Sequence, residues 1–190
     1  MRHMNAIEPL RGRLVAAGVE MLEEVGAQQL GLRAIAREAG VSHGAPRRYF
    51  PTHNSLLAAI AASGYADLRS EIEAVQADSP RQRLIATGLA YVDFATRRRE
   101  MFTLMFRHDL LEGAGENLRE TVTIPLFRHW RTLVTECITD PTGARALSLW
   151  TNLHGIAVVV ANRSYEAIAP GTEVPVLVER AVAQYLGTPG

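Results

Sequence analysis

The residues best suited to chemistry in this chain follow a glycine in its N-terminal part. His43, Arg47 and Arg48 come shortly after Gly40, and all three side chains can donate hydrogen bonds to phosphates or to base edges. A guanidinium is the more specific donor, because its planar fork matches two acceptors of a guanine at once. The spacing therefore indicates a nucleic-acid surface, with a solvated basic face as the alternative.

The distribution of charge restricts such a surface to one part of the chain. All 20 fixed cations are arginines, and 20 carboxylates balance them, so the formal net charge is zero. A net charge of zero argues against a protein that coats nucleic acid with a uniformly basic surface. Between Met1 and His53, however, seven arginines stand against five glutamates. We therefore expect any contact with nucleic acid to be local and N-terminal.

The residues around Gly40 satisfy the geometric demands of a helix-turn-helix. Ala36 is small enough for two steeply crossing helices to approach, and Gly40 tolerates the positive φ that a tight turn requires. Val41 can fill the angle between the helices, and Ser42 is a good N-cap for the second helix. The sequence therefore predicts a helix-turn-helix over residues 32–50. An ordinary helical hairpin with a glycine turn is the alternative.

Apolar residues recur at helical spacing along nearly the whole chain, and no alternating run suggests a sheet. We therefore expect an all-α protein of about nine helices, with an N-terminal three-helix DNA-binding domain and a larger C-terminal helical bundle. The expected division is 1–53 for the DNA-binding domain, 54–78 for a connecting helix, and 79–190 for the larger helical lobe. The predicted helices are 10–26, 32–39, 43–49, 53–75, 83–98, 101–107, 116–138 with a kink at Pro125, 144–165 and 174–186.

Several other chemistries are disfavoured by their context. The run from Gly40 to Gly44 matches the G-x-S-x-G nucleophile elbow of serine hydrolases, but an elbow must join a strand to a helix, and no strand precedes Gly40. His108 and Glu112 stand one helical turn apart, yet a solvated charged turn explains them better than a metal site. Cys137 is the only cysteine, so one chain offers no disulfide. We expect no enzyme activity, no metal and no cofactor.

The N-terminal stretch resembles the DNA-binding domain of the TetR family of bacterial regulators. The matching run is Leu32-Arg-Ala-Ile-Ala-Arg-Glu-Ala-Gly-Val-Ser42, followed by Arg48-Tyr-Phe50 and by Leu56 and Leu57. The resemblance implies two sets of DNA contacts. The base-facing residues would be Arg33, His43, Gly44, Ala45 and Arg47, and the backbone-facing residues would be Arg48, Tyr49 and His53.

The chain departs from the family pattern at four positions of the motif. Leu32 replaces the usual threonine or serine that caps the second helix, and Arg47 replaces a usual tyrosine. Pro46 removes one backbone donor early in the recognition helix. His53 stands where a lysine commonly opens the next helix, and an imidazole is only partly charged near neutral pH. We expect the motif to bind DNA but its operator to differ from those of relatives.

The C-terminal lobe resembles a subgroup of the family that bears a Trp-His-Gly signature, through Trp150, His154 and Gly155. The resemblance implies a cavity for a small apolar or amphipathic effector, although an aromatic and methionine stripe is more often core than pocket. The candidate pocket residues are Phe94, Met101, Phe102, Met105, Phe127, Trp130, Trp150 and His154. It also implies a homodimer built from the last two helices, with candidate interface residues Leu147, Thr151, Val158, Val178, Val182 and Tyr185.

Together these patterns predict a ligand-responsive transcriptional regulator, a repressor that an effector releases from a palindromic operator of double-stranded DNA. No apolar run reaches the roughly 20 residues that cross a bilayer, and no signal-peptide pattern is present, so we expect a cytoplasmic protein without a membrane partner. A helical adaptor that binds only protein is the other candidate. Salt-dependent binding to duplex DNA distinguishes the two.

Overall fold

The computed structural model describes residues 7–187, and it describes side chains from Leu10 onward. This part of the chain is helical and contains no strand, as the apolar spacing predicted. The helices are α1 Ile7–Gln29, α2 Leu32–Glu38, α3 His53–Glu73, α4 Pro80–Arg97, α5 Arg99–Met105, α6 His108–Leu111, α7 Ile124–Cys137, α8 Ala144–Ala161 and α9 Val174–Leu186. Short 3-10 turns lie at Pro46–Arg48 and Ser164–Ala167, and a π-helical turn at Arg119–Thr123 precedes α7.

The chain forms two compact units, whose limits differ from the predicted domain boundaries. The first unit holds the described residues up to Asp67 together with Glu100–Val122, and the second holds Leu68–Arg99 with residues 123–187. α3 is therefore shared by both units, and a later segment returns to the N-terminal one. A boundary based on turn residues such as Asp78, Ser79 and Pro80 could not reveal that return, because it depends on tertiary packing.

In the first unit, two side chains attach α5 by hydrogen bonds. The Tyr65 hydroxyl of α3 donates to the carbonyl of Met105 at 2.7 Å, and burial raises the pKa of Tyr65 to about 12. The Glu23 carboxylate of α1 accepts hydrogen bonds from the backbone N–H groups of Glu100 and Met101, at 3.0 and 3.2 Å. Glu23 thus satisfies donors that α5 cannot pair internally at its first turn.

In the second unit, α4 packs against α7, α8 and α9. Gly88 allows the closest approach, because a Cβ at this position would lie 3.0 Å from Cγ1 of Val178 on α9. The Trp130 side chain of α7 is 8% exposed, and its indole N–H donates to the carbonyl of Ala146 at 2.9 Å. This bond fixes α7 against the start of α8.

Two arginines pair with acidic side chains in the segment around His108 and Glu112. Arg107 forms hydrogen bonds of 2.8 and 2.7 Å to the Asp109 carboxylate, and these bonds lower the pKa of Asp109. Arg11 pairs with Glu116. In residues 7–187, no three histidine, cysteine or acidic side chains stand together in a way that could hold a metal ion.

Candidate nucleic-acid interface

The turn after α2 has the geometry that the sequence predicted. Gly40 has a φ of 65°, in the left-handed region that favours glycine. Its N–H donates to the carbonyl of Arg37 at 3.1 Å, and the N–H of Val41 donates to Ala36 at 2.9 Å. These two bonds form a Schellman motif, which ends α2 abruptly and redirects the chain.

α1 supports this turn and the segment after it. The Arg13 guanidinium donates to the carbonyl of Ala39 at the end of α2. The Arg11 guanidinium lies 5.3 Å from the ring centroid of Phe50, which is 1% exposed. Pro46 is also buried. The segment between Gly40 and Phe50 is therefore anchored at both ends and at Pro46, whereas residues 42–44, Arg47 and Arg48 are exposed.

The predicted recognition helix over residues 43–49 is shorter in the structure. Only the 3-10 turn Pro46–Arg48 forms, with Ala45 as its N-cap. Ser42 was expected to cap it, but only the Ser42 carbonyl takes part, accepting from the N–H of Ala45 at 2.9 Å. Proline has no N–H with which to extend the hydrogen-bonding pattern backwards, so the helix begins late and ends quickly.

The predicted base-facing and backbone-facing residues divide by exposure. Arg33, His43, Gly44, Arg47 and Arg48 are exposed, whereas Ala45, Tyr49 and His53 are half-buried. None of the exposed arginines among them forms an ion pair with the part of the chain that the structure describes. Their guanidinium groups are therefore available to an external anion. Which of these residues contact bases and which contact phosphates stays a prediction.

α2 begins without a capping side chain, and α3 begins with two. The N-cap of α2 is Gly31 and not Leu32, and glycine offers no side-chain acceptor. The Thr52 hydroxyl accepts from the N–H of Ser55 at 3.0 Å, while the Ser55 hydroxyl accepts from the N–H of Thr52 at 3.2 Å. This reciprocal pair is a capping box. The capping box was not predicted from the sequence, although the Thr-x-x-Ser spacing indicates one.

His53 has an internal partner that the sequence did not reveal. Its Nε2 lies 2.6 Å from the carbonyl oxygen of Leu30. A carbonyl can only accept, so Nε2 carries a proton and donates. In the neutral ring Nδ1 is then an acceptor, and only the doubly protonated ring could also donate to a phosphate. The hydrogen bond gives His53 a positioning role between the loop before α2 and the start of α3.

We expect His53→Ala to lower the free energy of unfolding by about 0.5–1.5 kcal/mol, because the Leu30 carbonyl loses its partner. Urea denaturation monitored by circular dichroism measures the change. His43→Ala is the matched control, since His43 is exposed and its loss should change stability by less than about 0.5 kcal/mol. Equal losses in the two variants would contradict the positioning role.

In the second unit, His154 of α8 lies in a partly buried aromatic cluster. Its ring stacks on Trp150 with centroids 5.4 Å apart, and its Nδ1 is 2.8 Å from the Tyr91 hydroxyl. Partial burial lowers the pKa of His154 from its ordinary value of 6.5. A group of depressed pKa resists protonation in the folded chain but not in the unfolded one. The free energy of unfolding should therefore decrease as the pH falls through the pKa that His154 has in the unfolded chain.

We expect the free energy of unfolding to decrease between about pH 7.5 and about pH 5.5, and His154→Gln to remove part of that decrease. Urea denaturation at both pH values gives the comparison. Asn152→Gln, at an exposed position of the same helix that carries no titrating group, is the control and should leave the decrease unchanged. A decrease of the same size in wild type and His154→Gln would refute the assignment.

The eight predicted pocket residues are divided between the two units. Met101, Phe102 and Met105 are buried in the first unit, and the other five belong to the second. In the second unit Phe94 and Trp130 are buried, and Phe127 meets Trp150 edge to face with centroids 6.3 Å apart. These side chains contact other aromatic or apolar groups. Their role in an effector pocket stays a prediction.

The structure corrects part of the predicted dimer surface. Val178 and Val182 are fully buried within the protomer, so they cannot contact a second copy in this fold. The apolar stripe of α9 on which they lie is the face that packs on α4 and α8. Leu147 and Val158 of α8 are 50% and 40% exposed. Thr151 is also exposed, and Tyr185 is half-buried.

The fold and the turn define an all-α protein with an N-terminal helix-turn-helix, and comparison with known proteins agrees. Residues 14–60 match the family of bacterial regulatory proteins called tetR, and residues 84–185 match the tetracyclin repressor-like C-terminal domain. A Rhodococcus sp. RHA1 protein with unknown function is 31% identical, with 93% of each chain covered and a TM-score of 0.79. None of the curated proteins matches this chain.

Two more distant structures share the fold. A transcriptional regulator from Rhodococcus is 20% identical, with a TM-score of 0.73 over 93% of this chain and 94% of its own. A TetR from Streptomyces coelicolor is 19% identical, with a TM-score of 0.70 over 92% and 94%. The chain belongs to the tetR family of bacterial regulatory proteins. It is a ligand-responsive, DNA-binding transcriptional regulator, and members of this family are generally not enzymes.

Proposed function

We propose that the chain acts in the cytoplasm as a homodimeric repressor, which binds a palindromic operator and leaves it when a small amphipathic effector binds. The observation that carries this proposal is the set of exposed arginines on the helix-turn-helix, Arg33, Arg47 and Arg48, which have no carboxylate partner among the described residues. Three free guanidinium groups on one short motif suit an anionic partner with base edges to read.

The surface of α8 supports the dimer. α8 has a mean hydropathy of 1.2 over 18 residues, yet only 28% of that window is buried inside the protomer. This length and hydropathy also meet the minimum for a membrane span, but a single such helix is weak evidence for one. Leu147, Val158 and Val159 are exposed on it. A second copy that covers this apolar surface would give two helix-turn-helix motifs related by a two-fold axis.

Two-fold symmetry links the dimer to the operator. Two recognition segments about one DNA turn apart, or slightly more, read half-sites of a palindrome. An effector that binds unequally to two spacings of these segments shifts the population toward one of them. A ligand that binds more tightly to the spacing incompatible with DNA would release the protein from the operator.

Footprinting on the DNA that flanks the chain's own gene tests the proposal, with electrophoretic mobility shifts at rising salt as the quantitative readout. We expect protection of a palindrome and an affinity that falls steeply with salt, because several phosphates are neutralised. A serine-to-alanine change at exposed Ser148 of α8 provides a control protein with an intact motif. Absence of salt-dependent duplex binding would instead favour an adaptor that binds only protein.

A further inference from the structure

A cavity of about 340 Å³ lies in the second unit, and polar side chains form part of its wall. It is enclosed by the end of α3, the loop after α3, and one face each of α4 and α7. Ile72, Val75 and Leu133 contribute apolar surface, and Arg83, Thr87 and His129 contribute polar groups. A volume of this size lies at the lower end of the range for small-molecule sites, which begins at about 300 Å³.

Thr87 carries an unpaired polar group beside this cavity. Its side chain is 2% exposed, and its hydroxyl has no hydrogen-bond partner among the residues that the structure describes. A helical threonine usually bonds the carbonyl four residues back, as Thr96 of the same helix does with Val92 at 2.9 Å. Thr87 does not. A buried, unpaired hydroxyl is unfavourable, so an occupant that pairs with it would be stabilised.

Arg83 supplies a second unpaired donor beside it. Its terminal nitrogen lies 3.1 Å from the Glu136 carboxylate, but its Nε is buried and has no partner in the described part of the chain. Arg83 and Thr87 are four residues apart on α4, which places them on the same helix face. An unpaired N–H and an unpaired O–H therefore lie on the same face of α4, and both residues line the cavity.

The charges around the cavity define the ligand class. Two adjacent donors suit the two oxygens of a carboxylate, and bonds to an ionised acceptor are the stronger kind. Arg83 already shares its charge with Glu136, and the Glu73 carboxylate also borders the cavity. These two acids disfavour a dianion such as a phosphate monoester. Ile72, Val75 and Leu133 can contact a short hydrocarbon body.

We propose that this cavity binds a small monocarboxylate with a short apolar body, whose carboxylate accepts hydrogen bonds from Arg83 Nε and Thr87 Oγ1. Ile72, Val75 and Leu133 contact the apolar body. That this molecule is the effector of the regulator rests on the proposed function. That it binds in the cavity does not.

Isothermal titration calorimetry of the full chain with hexanoate, benzoate and their carboxamides tests the proposal. We expect at least one carboxylate to bind, and its carboxamide to bind about tenfold more weakly because the charge is lost. Thr87→Val should weaken carboxylate binding by about tenfold, and Thr87→Ser should retain it. Thr96→Val is the matched control on the same helix and should bind as wild type does. Glu73→Gln should strengthen binding, because a repelling charge is removed.

Binding of neither carboxylate, equal binding of acid and amide, or equal affinities for Thr87→Val and Thr96→Val would overturn the proposal. Thermal denaturation guards against misfolding, since Thr87→Val should melt at or above the wild-type temperature. Measuring operator binding in the presence of the bound carboxylate tests the effector role separately from the cavity assignment. If the acid binds the cavity while operator affinity stays constant, the cavity assignment holds and the effector role fails.

Discussion

Arg47→Ala is expected to weaken operator binding by about 1–3 kcal/mol and to relax the base preference at one position of each half-site. Arg47 is exposed on the 3-10 turn Pro46–Arg48, and it forms no ion pair with the described residues. A guanidinium held on a short, anchored turn can meet a guanine with two hydrogen bonds. Fluorescence anisotropy against the operator and a set of single-base variants measures both effects.

Arg48→Ala provides the comparison within the same turn. Its loss should weaken specific and non-specific DNA alike and reduce the slope of affinity against salt by about one, because a phosphate contact disappears. Arg163→Ala controls for the loss of one charge, since Arg163 pairs with Glu166 at 3.0 Å. If Arg47→Ala and Arg48→Ala both bind the operator as wild type does, the recognition segment has been assigned incorrectly.

Trp130→Ala is expected to lower the free energy of unfolding by about 3–5 kcal/mol, enough to unfold a marginally stable chain. The side chain is 8% exposed, and its indole N–H donates to Ala146 at 2.9 Å. Alanine removes the packed ring and also leaves that carbonyl without its partner. Urea denaturation followed by circular dichroism gives the loss.

Trp130→Phe separates the two contributions. Phenylalanine keeps most of the buried surface but not the hydrogen bond, so we expect a smaller loss, part of it the roughly 0.5–1.5 kcal/mol of a typical hydrogen bond. Ile168→Ala is a control for a shortened apolar side chain that is 85% exposed. A loss below about 1 kcal/mol for Trp130→Ala would show that α7 is not fixed through this residue.

Some features of the interface could be predicted because they depend on neighbouring residues alone. The positive φ of Gly40 and the end of α2 follow from one glycine after a helical stripe. The missing side-chain cap of α2 was also predicted, but the N-cap is Gly31, one residue before the expected position at Leu32. The length of the recognition segment was not predicted, since Pro46 was expected to alter the start of a helix rather than reduce it to one turn.

Other features depend on which residues meet across the chain. His53 was interpreted as a phosphate contact, but it bonds to Leu30, which belongs to a different loop. Thr87 and Arg83 look like ordinary residues of an amphipathic helix in the sequence. Only the structure shows that Thr87 and the Nε of Arg83 are buried beside the cavity while their donors stay unpaired.

The sequence by itself determined the helical class, the helix-turn-helix and the family, because apolar periodicity, glycine turns and basic residues act over a few neighbouring positions. The tertiary structure decided which apolar stripe faces inward. The stripe with Val178 and Val182 became core, because Gly88 lets α9 approach α4, whereas Leu147 and Val158 stayed on the surface. Amphipathicity shows that a helix has a face to bury, but the partner that covers this face is chosen by packing between distant segments.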